Sequence, residues 1–209
     1  MYHIVREAHK KEDYVFKMII KIFKYFAIPK TSLILDTGCG RGQLVYNIYK
    51  EGYENIFGFD ILSDNIKFAK DSFKEVADRF AIHDLYSQQL PDSFPKNNYD
   101  VIFSLNVIEH TYSPIKYLEN IKFWLKKDGI LIISTPYHGY IKNFIISLFN
   151  KFDWHFDPLD EGGHIKFFSK KTFYKIIYAS GLYPIRFYCI GNFPFVWKEM
   201  LVVAKKYKD

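Results

Sequence analysis

With 209 residues, 49% of them hydrophobic, the chain is long enough for one α/β domain over residues 1–209 with a sizeable core. Its net charge of +6 comes from lysines scattered along the sequence, which favours a solvated surface over a nucleic-acid partner. The two cysteines, Cys39 and Cys189, form no C-x-x-C pair, so we expect no zinc site, no disulfide framework and a cytoplasmic location. No run reaches the roughly 18 apolar residues that span a bilayer, so we expect no stable membrane insertion.

Hydrophobic periodicity and turn signals predict an alternation of helices and strands. In chain order the elements are helix 3–28 within an N-terminal segment 1–29, strand 32–36, helix 42–51, strand 55–60, helix 63–78, strand 81–84, strand 99–105, helix 114–127, strand 130–135, helix 170–180 and strands 182–190 and 197–204. This order implies an α/β fold, a Rossmann-like, doubly wound, mostly parallel seven-stranded sheet with right-handed crossovers.

Residues 136–168, which follow the fifth predicted strand, form an insertion rich in His, Phe and Asp. We expect this insertion to act as a lid over the ligand site, where a second small molecule, the acceptor, would bind. Apolar residues at 141, 144, 145 and 148 have helical spacing, which predicts a short amphipathic helix packed over the sheet. The alternative is a lid that admits a lipid-like or aromatic acceptor, or that makes a peripheral contact with a membrane. Residues 153–158 are expected to line the acceptor cavity.

The segment from Leu33 to Gly42 is the most informative stretch of the chain. An apolar strand ends in an acid, and glycines then follow at alternate positions, which lets the backbone approach a ligand closely. A dinucleotide loop has the spacing G-x-G-x-x-G, and its third glycine would fall at Gln43. The loop therefore favours a nucleoside ligand without a pyrophosphate and disfavours an NAD-dependent oxidoreductase.

Several motifs, taken in order, resemble those of the class I S-adenosylmethionine-dependent methyltransferases, in the type 11/23 group near the ubiquinone-biosynthesis O-methyltransferases. They cover residues 35–42, 57–60, 83–85, 100–110, 125–131 and 164–169. Lys127 and Asp128 stand where the family usually has proline and glycine, which is a mild departure. The resemblance extends over nearly the whole chain and implies S-adenosylmethionine as the methyl donor and S-adenosylhomocysteine as the product.

The resemblance also implies roles for individual residues. Asp60 would accept the ribose hydroxyls, and Asp84, with the Leu85 amide, would bind the adenine unless it only caps a turn. Ile61 would pack on the adenine face or belong to the core. Asp36 would order the loop by accepting backbone amides, and could also contact the amino group of the ligand through a water molecule. The expected cofactor-binding residues are Asp36, Gly38, Cys39, Gly40, Gly42, Asp60, Ile61, Asp84, Leu85 and Asn106.

Methyl transfer to a hydroxyl benefits from a general base, and histidine suits that role. His164 ranks first and His110 second as candidate catalytic residues, whereas His138 is expected to shape the pocket and His155 to lie in the covering insertion. In the resembled subgroup some members bind a divalent ion through an additional carboxylate, but Asn106 occupies that position here. The remaining Glu-His pair at 109–110 supplies too few ligands, so we expect no metal.

The sequence thus predicts S-adenosylmethionine-dependent transfer of a methyl group to a small-molecule hydroxyl, on a sugar, a quinone or phenol, or another metabolite. Nucleic acid is not expected as the acceptor, because the chain has no spare domain for it. A catalytically inactive module that binds S-adenosylmethionine is the alternative. The oligomeric state is left open.

Overall fold

A computed structural model of the chain describes residues 2–96, 98–156, 159, 162–191 and 193–206, with the backbone alone for residues 2–13, 154 and 155. Its strands are β1 (Ile34–Thr37), β2 (Ile56–Asp60), β3 (Phe80–Ile82), β4 (Tyr99–Leu105), β5 (Leu125–Pro136), β6 (Leu182–Ile190) and β7 (Glu199–Lys206). Its helices are α1 (Tyr2–Tyr25), α2 (Gln43–Lys50), α3 (Ser63–Ser72), α4 (Pro114–Trp124), α5 (Tyr140–Leu148), α6 (Phe152–His155) and α7 (Lys170–Ala179), with short 3₁₀ helices at Lys74–Arg79 and Ile108–His110.

The seven strands form one sheet in the order β3-β2-β1-β4-β5-β7-β6. Neighbouring strands from β3 to β5 are parallel, and β7 is antiparallel to both β5 and β6. The predicted Rossmann-like, mostly parallel seven-stranded sheet is therefore confirmed. Since the chain proceeds outward in both directions from β1 and β4, the crevice at their carboxyl ends is the place where such folds bind ligands.

Both faces of the sheet are buried, which explains why its central strands are continuous apolar runs. Along β4, Val101 and Phe103 belong to the core that packs against α1, α2 and α3, whereas Ile102 belongs to the core that packs against α4 and α7. Ile19 and Phe23 of α1 are among the fully buried side chains. The N-terminal helix is thus part of the core and lies next to the ligand crevice.

The boundary between α4 and β5 differs from the prediction. The helix ends at Trp124, and β5 already begins at Leu125, where the predicted helix still continued. A register shift against β4 accommodates the extra residues, and a Cβ on Gly129 would come within 2.9 Å of the Tyr99 carbonyl oxygen. The strand starts at Leu125 because this residue already pairs with Tyr99, and the close approach of the two backbones at Gly129 requires glycine there.

The helix predicted within the insertion exists as α5, but its apolar stripe does not pack over the sheet. Phe144 is 56% exposed and Leu148 is 64% exposed, whereas Lys142 is buried. The packing expectation is therefore wrong, because periodicity indicates that a helix has an apolar face and does not indicate which way that face turns. None of the helices in the described part of the chain is both long and apolar enough to cross a membrane.

Tyr117 of α4 is a buried polar link between the helix layer and the sheet. Its hydroxyl donates to Ser104 Oγ at 2.8 Å and lies 2.7 Å from Thr37 Oγ1. Tyr117→Phe keeps the ring but takes one partner from each of two buried hydroxyls, so we expect the free energy of unfolding to fall by about 1–3 kcal/mol in urea denaturation. Tyr178→Phe on an exposed ring is the control, and equal losses in the two variants would contradict the prediction.

Candidate functional site

A cavity of about 360 Å³ opens at the carboxyl edge of the sheet, between the ends of β1 and β4 and the helices α1 and α2. This volume lies in the range of about 300–1,000 Å³ that is typical of small-molecule sites. Five of the expected cofactor-binding residues line it, namely Asp36, Gly38, Cys39, Gly40 and Asn106. The glycine-loop motif and the motif at the end of β4 thus share one cavity, whereas Gly42, Asp60, Ile61, Asp84 and Leu85 are not among its lining residues.

Helices α1 and α2 complete the wall of this cavity. Val15 and Phe16 of α1 line it, as do Gln43 and Asn47 of α2. The Gln43 amide donates to Asn47 Oδ1 at 2.9 Å, one helical turn away. Sequence reasoning missed these two amides, although their i, i+4 spacing directly after the glycine loop was an available signal.

The carboxylate of Asp60, at the end of β2, anchors the glycine loop. It accepts a hydrogen bond from the Gly40 backbone N–H at 2.9 Å on one oxygen and from the Leu62 N–H at 2.9 Å on the other. Oδ1 also accepts from the Asn65 amide at 3.4 Å, so Oδ2, which has the Gly40 N–H as its one donor among the described residues, is the oxygen that can accept another. The ribose role expected for Asp60 stays a prediction that this geometry allows.

Asp36 does not order the loop as expected, because the loop amides have other acceptors. The N–H groups of Gly38 and Cys39 both donate to the Phe59 carbonyl oxygen, at 2.8 and 2.9 Å. Asp36 is buried in the cavity wall, and burial together with the neighbouring Asp60 carboxylate raises the pKa of its carboxyl to about 7. It is the group on this wall that would gain most from a cationic ligand, such as an amino group.

The three loop glycines have different reasons for being glycine, although all three have positive φ. A Cβ on Gly38 would lie 2.6 Å from the Val107 side chain, and a Cβ on Gly42 would lie 2.7 Å from the Phe80 ring. A Cβ on Gly40 would meet nothing within 4 Å. Protein packing therefore requires Gly38 and Gly42, so the expected cofactor contact of Gly42 has a competing structural reason, whereas Gly40 borders open space in the cavity wall.

Both cysteines are free thiols in the described chain. Burial raises the pKa of the Cys39 thiol well above its ordinary value, so the group stays protonated and acts in packing against the cavity.

The expected adenine-binding residues lie at the carboxyl ends of β2 and β3. Ile61 is 59% exposed, which makes its alternative assignment to the core wrong and leaves an apolar surface for a planar ligand. Asp84 Oδ1 accepts from the Tyr86 N–H at 2.9 Å, so the turn-capping role considered for Asp84 is present. Leu85 packs against the core beside it. Binding of adenine by Asp84 and Leu85 stays a prediction.

Buried polar atoms are concentrated at the ends of β4 and β5. Asn106 has a φ of 53°, and its N–H donates to the Ser134 carbonyl oxygen at 3.2 Å. Among the described residues, Asn106 Oδ1, Ser134 Oγ and Thr135 Oγ1 are buried without a hydrogen-bond partner. Of the three, Asn106 lines the cavity, so its Oδ1 is the buried polar atom that a ligand there could pair.

His164 and Glu109 come together at the same edge of the sheet, although the sequence analysis treated them separately. The Glu109 carbonyl oxygen accepts from the N–H groups of Ile165 and Lys166, at 3.0 and 2.9 Å, which ties the end of the insertion to the 3₁₀ helix after β4. His164 Nε2 consequently lies 4.0 Å from Glu109 Oε1. The Glu109 side chain is 1% exposed and that of His164 is 38% exposed, so a buried carboxylate supports a histidine that solvent can reach.

His110 completes the cluster. Its Nδ1 lies 2.7 Å from the Gly162 carbonyl oxygen and 3.2 Å from that of Gly163, and its ring centroid is 4.9 Å from that of His164. Since a carbonyl oxygen only accepts, Nδ1 carries the proton and Nε2 of neutral His110 is an acceptor.

Glu109, His110 and His164 each offer a ligand atom, and these atoms lie within 4.8 Å of one another. The argument that only a Glu-His pair is available was therefore incomplete, because His164 supplies a third ligand from a distant part of the sequence. A carboxylate with two imidazoles could hold a divalent ion. The absence of a metal stays a prediction.

His138 lies behind this cluster, where it was expected to shape the pocket. It is buried, and its ring centroid lies 5.6 Å from that of Phe156 and 5.2 Å from that of Phe167. The expected lining of an acceptor cavity by residues 153–158 stays a prediction. Asp157, Pro158 and the His155 side chain lie outside the described residues.

Comparison with known proteins agrees with this geometry. A family model described as a methyltransferase domain matches residues 8–186. The chain is 28% identical over 169 residues to a ubiquinone biosynthesis O-methyltransferase of Rickettsia canadensis, covering 79% of this chain and 68% of the relative. It is 32% identical over 117 residues to a tRNA U34 carboxymethyltransferase of Vibrio cholerae serotype O1, covering 55% of this chain but 35% of that relative's length.

Among solved structures, the fold is similar to that of magnesium protoporphyrin IX methyltransferase from Synechocystis PCC 6803, determined with bound S-adenosylhomocysteine. The TM-score is 0.71 at 17% sequence identity, covering 94% of this chain and 84% of the other.

The exclusion of nucleic acid was wrong. A relative at 32% identity is named for its action on tRNA, so the sequence does not separate this chain from enzymes with nucleic-acid acceptors. The lysines look scattered along the sequence, but residues three or four positions apart lie on the same side of a helix. Lys17, Lys21 and Lys24 are all exposed and share the outer side of α1.

The difference between the loop glycines leads to a paired test. Gly40→Ala incurs only the cost of a left-handed residue, about 1 kcal/mol, but adds a methyl group at the cavity wall. We expect it to fold and to lose most of the thermal stabilisation by S-adenosylhomocysteine. Gly42→Ala meets Phe80 and should unfold at a clearly lower temperature without ligand. The reverse pattern in a thermal-shift assay would refute the assignment.

The raised pKa of Asp36 leads to a second prediction, which concerns how the stability of the folded state depends on pH. The folded protein holds this proton up to about pH 7, whereas the unfolded chain releases it near the ordinary carboxyl pKa of 3.8. The stability of the folded state should therefore fall as the pH rises from about 4 to about 7, and then level off. Asp36→Asn removes this fall, so in urea denaturation the advantage of the variant over the parent should be largest at pH 8, smaller at pH 5 and absent near pH 4. A variant without any gain at pH 8 would contradict the prediction.

Proposed function

This chain belongs to the S-adenosylmethionine-dependent methyltransferases, and we propose that it transfers the methyl group to a hydroxyl of a small molecule, with His164 as the general base. The family match confirms the expected enzyme class and methyl donor. The observation that carries the choice of a hydroxyl is the pairing of His164 with the buried carboxylate of Glu109. Sugars, quinones or phenols and other metabolites are the candidate acceptors.

The cavity residues fit this donor. The open position at Gly40, the partnerless Asn106 Oδ1 and the buried Asp36 carboxyl offer space, a hydrogen-bond acceptor and a site for an amino group. Asp60, Ile61, Asp84 and Leu85 would hold the nucleoside. When bound, S-adenosylmethionine supplies a methyl group that its sulfonium charge already activates.

The protein then has to orient the acceptor and remove its proton. The His164 imidazole would take the proton from the hydroxyl as the methyl group is transferred, on the ring nitrogen that does not face Glu109, and the Glu109 carboxylate, 4.0 Å from Nε2, would stabilise the resulting imidazolium. A carboxylate kept out of water interacts strongly with such a charge, because solvent screens it little. His110 would hold the acceptor oxygen in line, and positioning of this kind can contribute about 7–11 kcal/mol in the best cases.

An RNA acceptor is the second candidate. The tRNA U34 carboxymethyltransferase relative supports it, and so do the exposed lysines at 17, 21 and 24 on the outer side of α1, the helix whose Val15 and Phe16 line the cavity. A positively charged helix face can follow a phosphate backbone. Because the chain spans about a third of the length of that relative, its carboxymethyl chemistry does not carry over.

We further propose that residues 1–209 form one domain, in which segment 136–168 covers the acceptor. A cytoplasmic location is part of the same proposal, and the two free thiols support it.

The base assignment is tested with donor labelled in the methyl group and an acceptor panel of sugars, phenols, quinones and total tRNA. With the acceptor found, we expect His164→Ala to lower kcat by about 10²–10⁴-fold and Glu109→Gln to lower it less, with affinity for S-adenosylhomocysteine unchanged. Ile165→Ala, at the adjacent exposed position, is the matched control and should keep its activity.

Three other outcomes of this experiment would each support a different function. Transfer to tRNA alone would replace the small-molecule acceptor, and the absence of transfer to every acceptor despite tight donor binding would favour an inactive binding module. Dialysis against a chelator should leave the activity intact. A loss that a divalent ion restores would assign Glu109, His110 and His164 to a metal instead of a base.

A further inference from the structure

The loop that follows β3, residues 83–88, carries the residues expected to bind the adenine of the methyl donor. Among the described residues, one hydrogen bond ties this loop to the sheet, from the His83 N–H to the Asp60 carbonyl oxygen at 3.0 Å. Beyond that point the loop turns on itself, as in the bond from the Tyr86 N–H to Asp84 Oδ1. A bond within a turn sets the shape of the turn but does not set its orientation in the site.

Helix α4 supplies the bonds that orient this loop. The Asn120 side-chain amide donates to the Leu85 carbonyl oxygen at 2.9 Å, and Trp124 Nε1 donates to the Gln88 carbonyl oxygen at 2.8 Å. Residues four positions apart are neighbours on one side of a helix, so the two donors lie one turn apart. Asn120 and Trp124, here named the α4 clamp, therefore hold the middle and the end of the loop.

The α4 clamp is effective because its helix is fixed to the centre of the sheet. The hydroxyl of Tyr117, three positions before Asn120, lies 2.8 Å from Ser104 Oγ of β4 and 2.7 Å from Thr37 Oγ1 of β1. Strand β3, by contrast, is at one end of the sheet. The clamp thus refers the position of a loop at the end of the sheet to the central strands, where the donor cavity lies.

Asn120 is a polar residue on the buried side of α4. It is 5% exposed, and its buried neighbours on the helix include Leu118 and Ile121. Removing an amide from water costs free energy unless the amide finds a hydrogen-bond partner, and an apolar side chain of similar volume would have no such cost. What the amide contributes at this position is its bond to the Leu85 carbonyl oxygen.

The α4 clamp holds the carbonyl group of Leu85 and leaves two other polar groups of the loop available. Among the described residues, neither the Leu85 N–H nor Asp84 Oδ2 takes part in a hydrogen bond. An acceptor next to a donor is complementary to adenine, whose amino group donates and whose adjacent ring nitrogen accepts. Hypoxanthine has the opposite pattern, because a carbonyl oxygen replaces the amino group and the ring nitrogen carries a proton.

We propose that Asn120 is a positioning residue for the methyl donor. Through the Leu85 carbonyl it holds the Leu85 N–H and the Asp84 carboxylate in the arrangement that matches the edge of the adenine, and Trp124 is the second point of the clamp. The inference rests on the proposed binding of adenine by Asp84 and Leu85. A binding group is precise when the residues behind it lock its orientation, and Asn120 acts in this way.

The test compares binding of S-adenosylhomocysteine and its hypoxanthine analogue, S-inosylhomocysteine, by isothermal titration calorimetry, so no methyl acceptor is needed. We expect the parent to bind the analogue at least about tenfold more weakly, because a site built to bond one pattern rejects the reverse. Asn120→Leu keeps the volume and removes the donor. Its Kd for S-adenosylhomocysteine should rise about tenfold, while its Kd for the analogue should change by less than about twofold.

Two further variants separate positioning from a general loss of stability. Trp124→Phe keeps a ring and removes the second donor, so it should lower the preference for adenine in the same direction, and it decides the matter should Asn120→Leu not fold. Val203→Ala is the control, because Val203 is fully buried in β7, far from β3 in the sheet order. It should lower the melting temperature and keep the full preference.

The outcomes distinguish this inference from the adenine assignment beneath it. If Asp84→Ala abolishes the preference but Asn120→Leu retains it, or weakens both ligands equally, the positioning role is overturned and the adenine site stands. If the parent binds both ligands equally well, adenine binding by Asp84 and Leu85 is refuted, and the positioning role falls with it. Loss of the preference in Val203→Ala would also overturn the proposal, since stability alone would then explain the effect.

Discussion

The bond between the Asp60 carboxylate and the Gly40 amide is the constraint on which the site depends. It joins the end of β2 to the loop that leaves β1, two strands that the sheet already holds side by side. The loop is thereby held open beside Asp36 and Asn106, and the cavity exists because the backbone cannot collapse into it. The same carboxylate adds to the rise in the Asp36 pKa, so the anchor also sets the electrostatics of the cavity wall.

A second tie of this kind builds the edge for which we propose the catalytic role. The Glu109 carbonyl oxygen accepts two amides from the end of the insertion, and this brings His164 beside the Glu109 carboxylate. Glu109 comes from the 3₁₀ helix that directly follows β4, and His164 comes from the insertion. The division suits a methyltransferase fold, since the donor cavity can stay constant while the acceptor side varies with the covering segment.

How far the sequence predicts this protein depends on the range of each interaction. The strand-loop-helix unit around the glycines is local, so its periodicity and turn residues revealed it. The pairing of Glu109 with His164 depends on a fold that brings distant segments together, and no local pattern contains it. The direction of the apolar stripe on α5 was misread for the same reason, and the lysines of α1 appear as a cluster only on the folded helix. The boundary at Leu125 was missed because the residue pairs with Tyr99 of a distant strand, which the local pattern does not contain.

The three loop glycines bear on how such motifs are read in general. Gly38 and Gly42 are held by the Val107 and Phe80 side chains, so purifying selection for folding alone would preserve them in a descendant that no longer bound any nucleoside. Only Gly40 is free of that demand. In a lineage drifting towards a pseudoenzyme, the middle glycine would be the first to be replaced, and its retention here carries more information about ligand binding than the other two together.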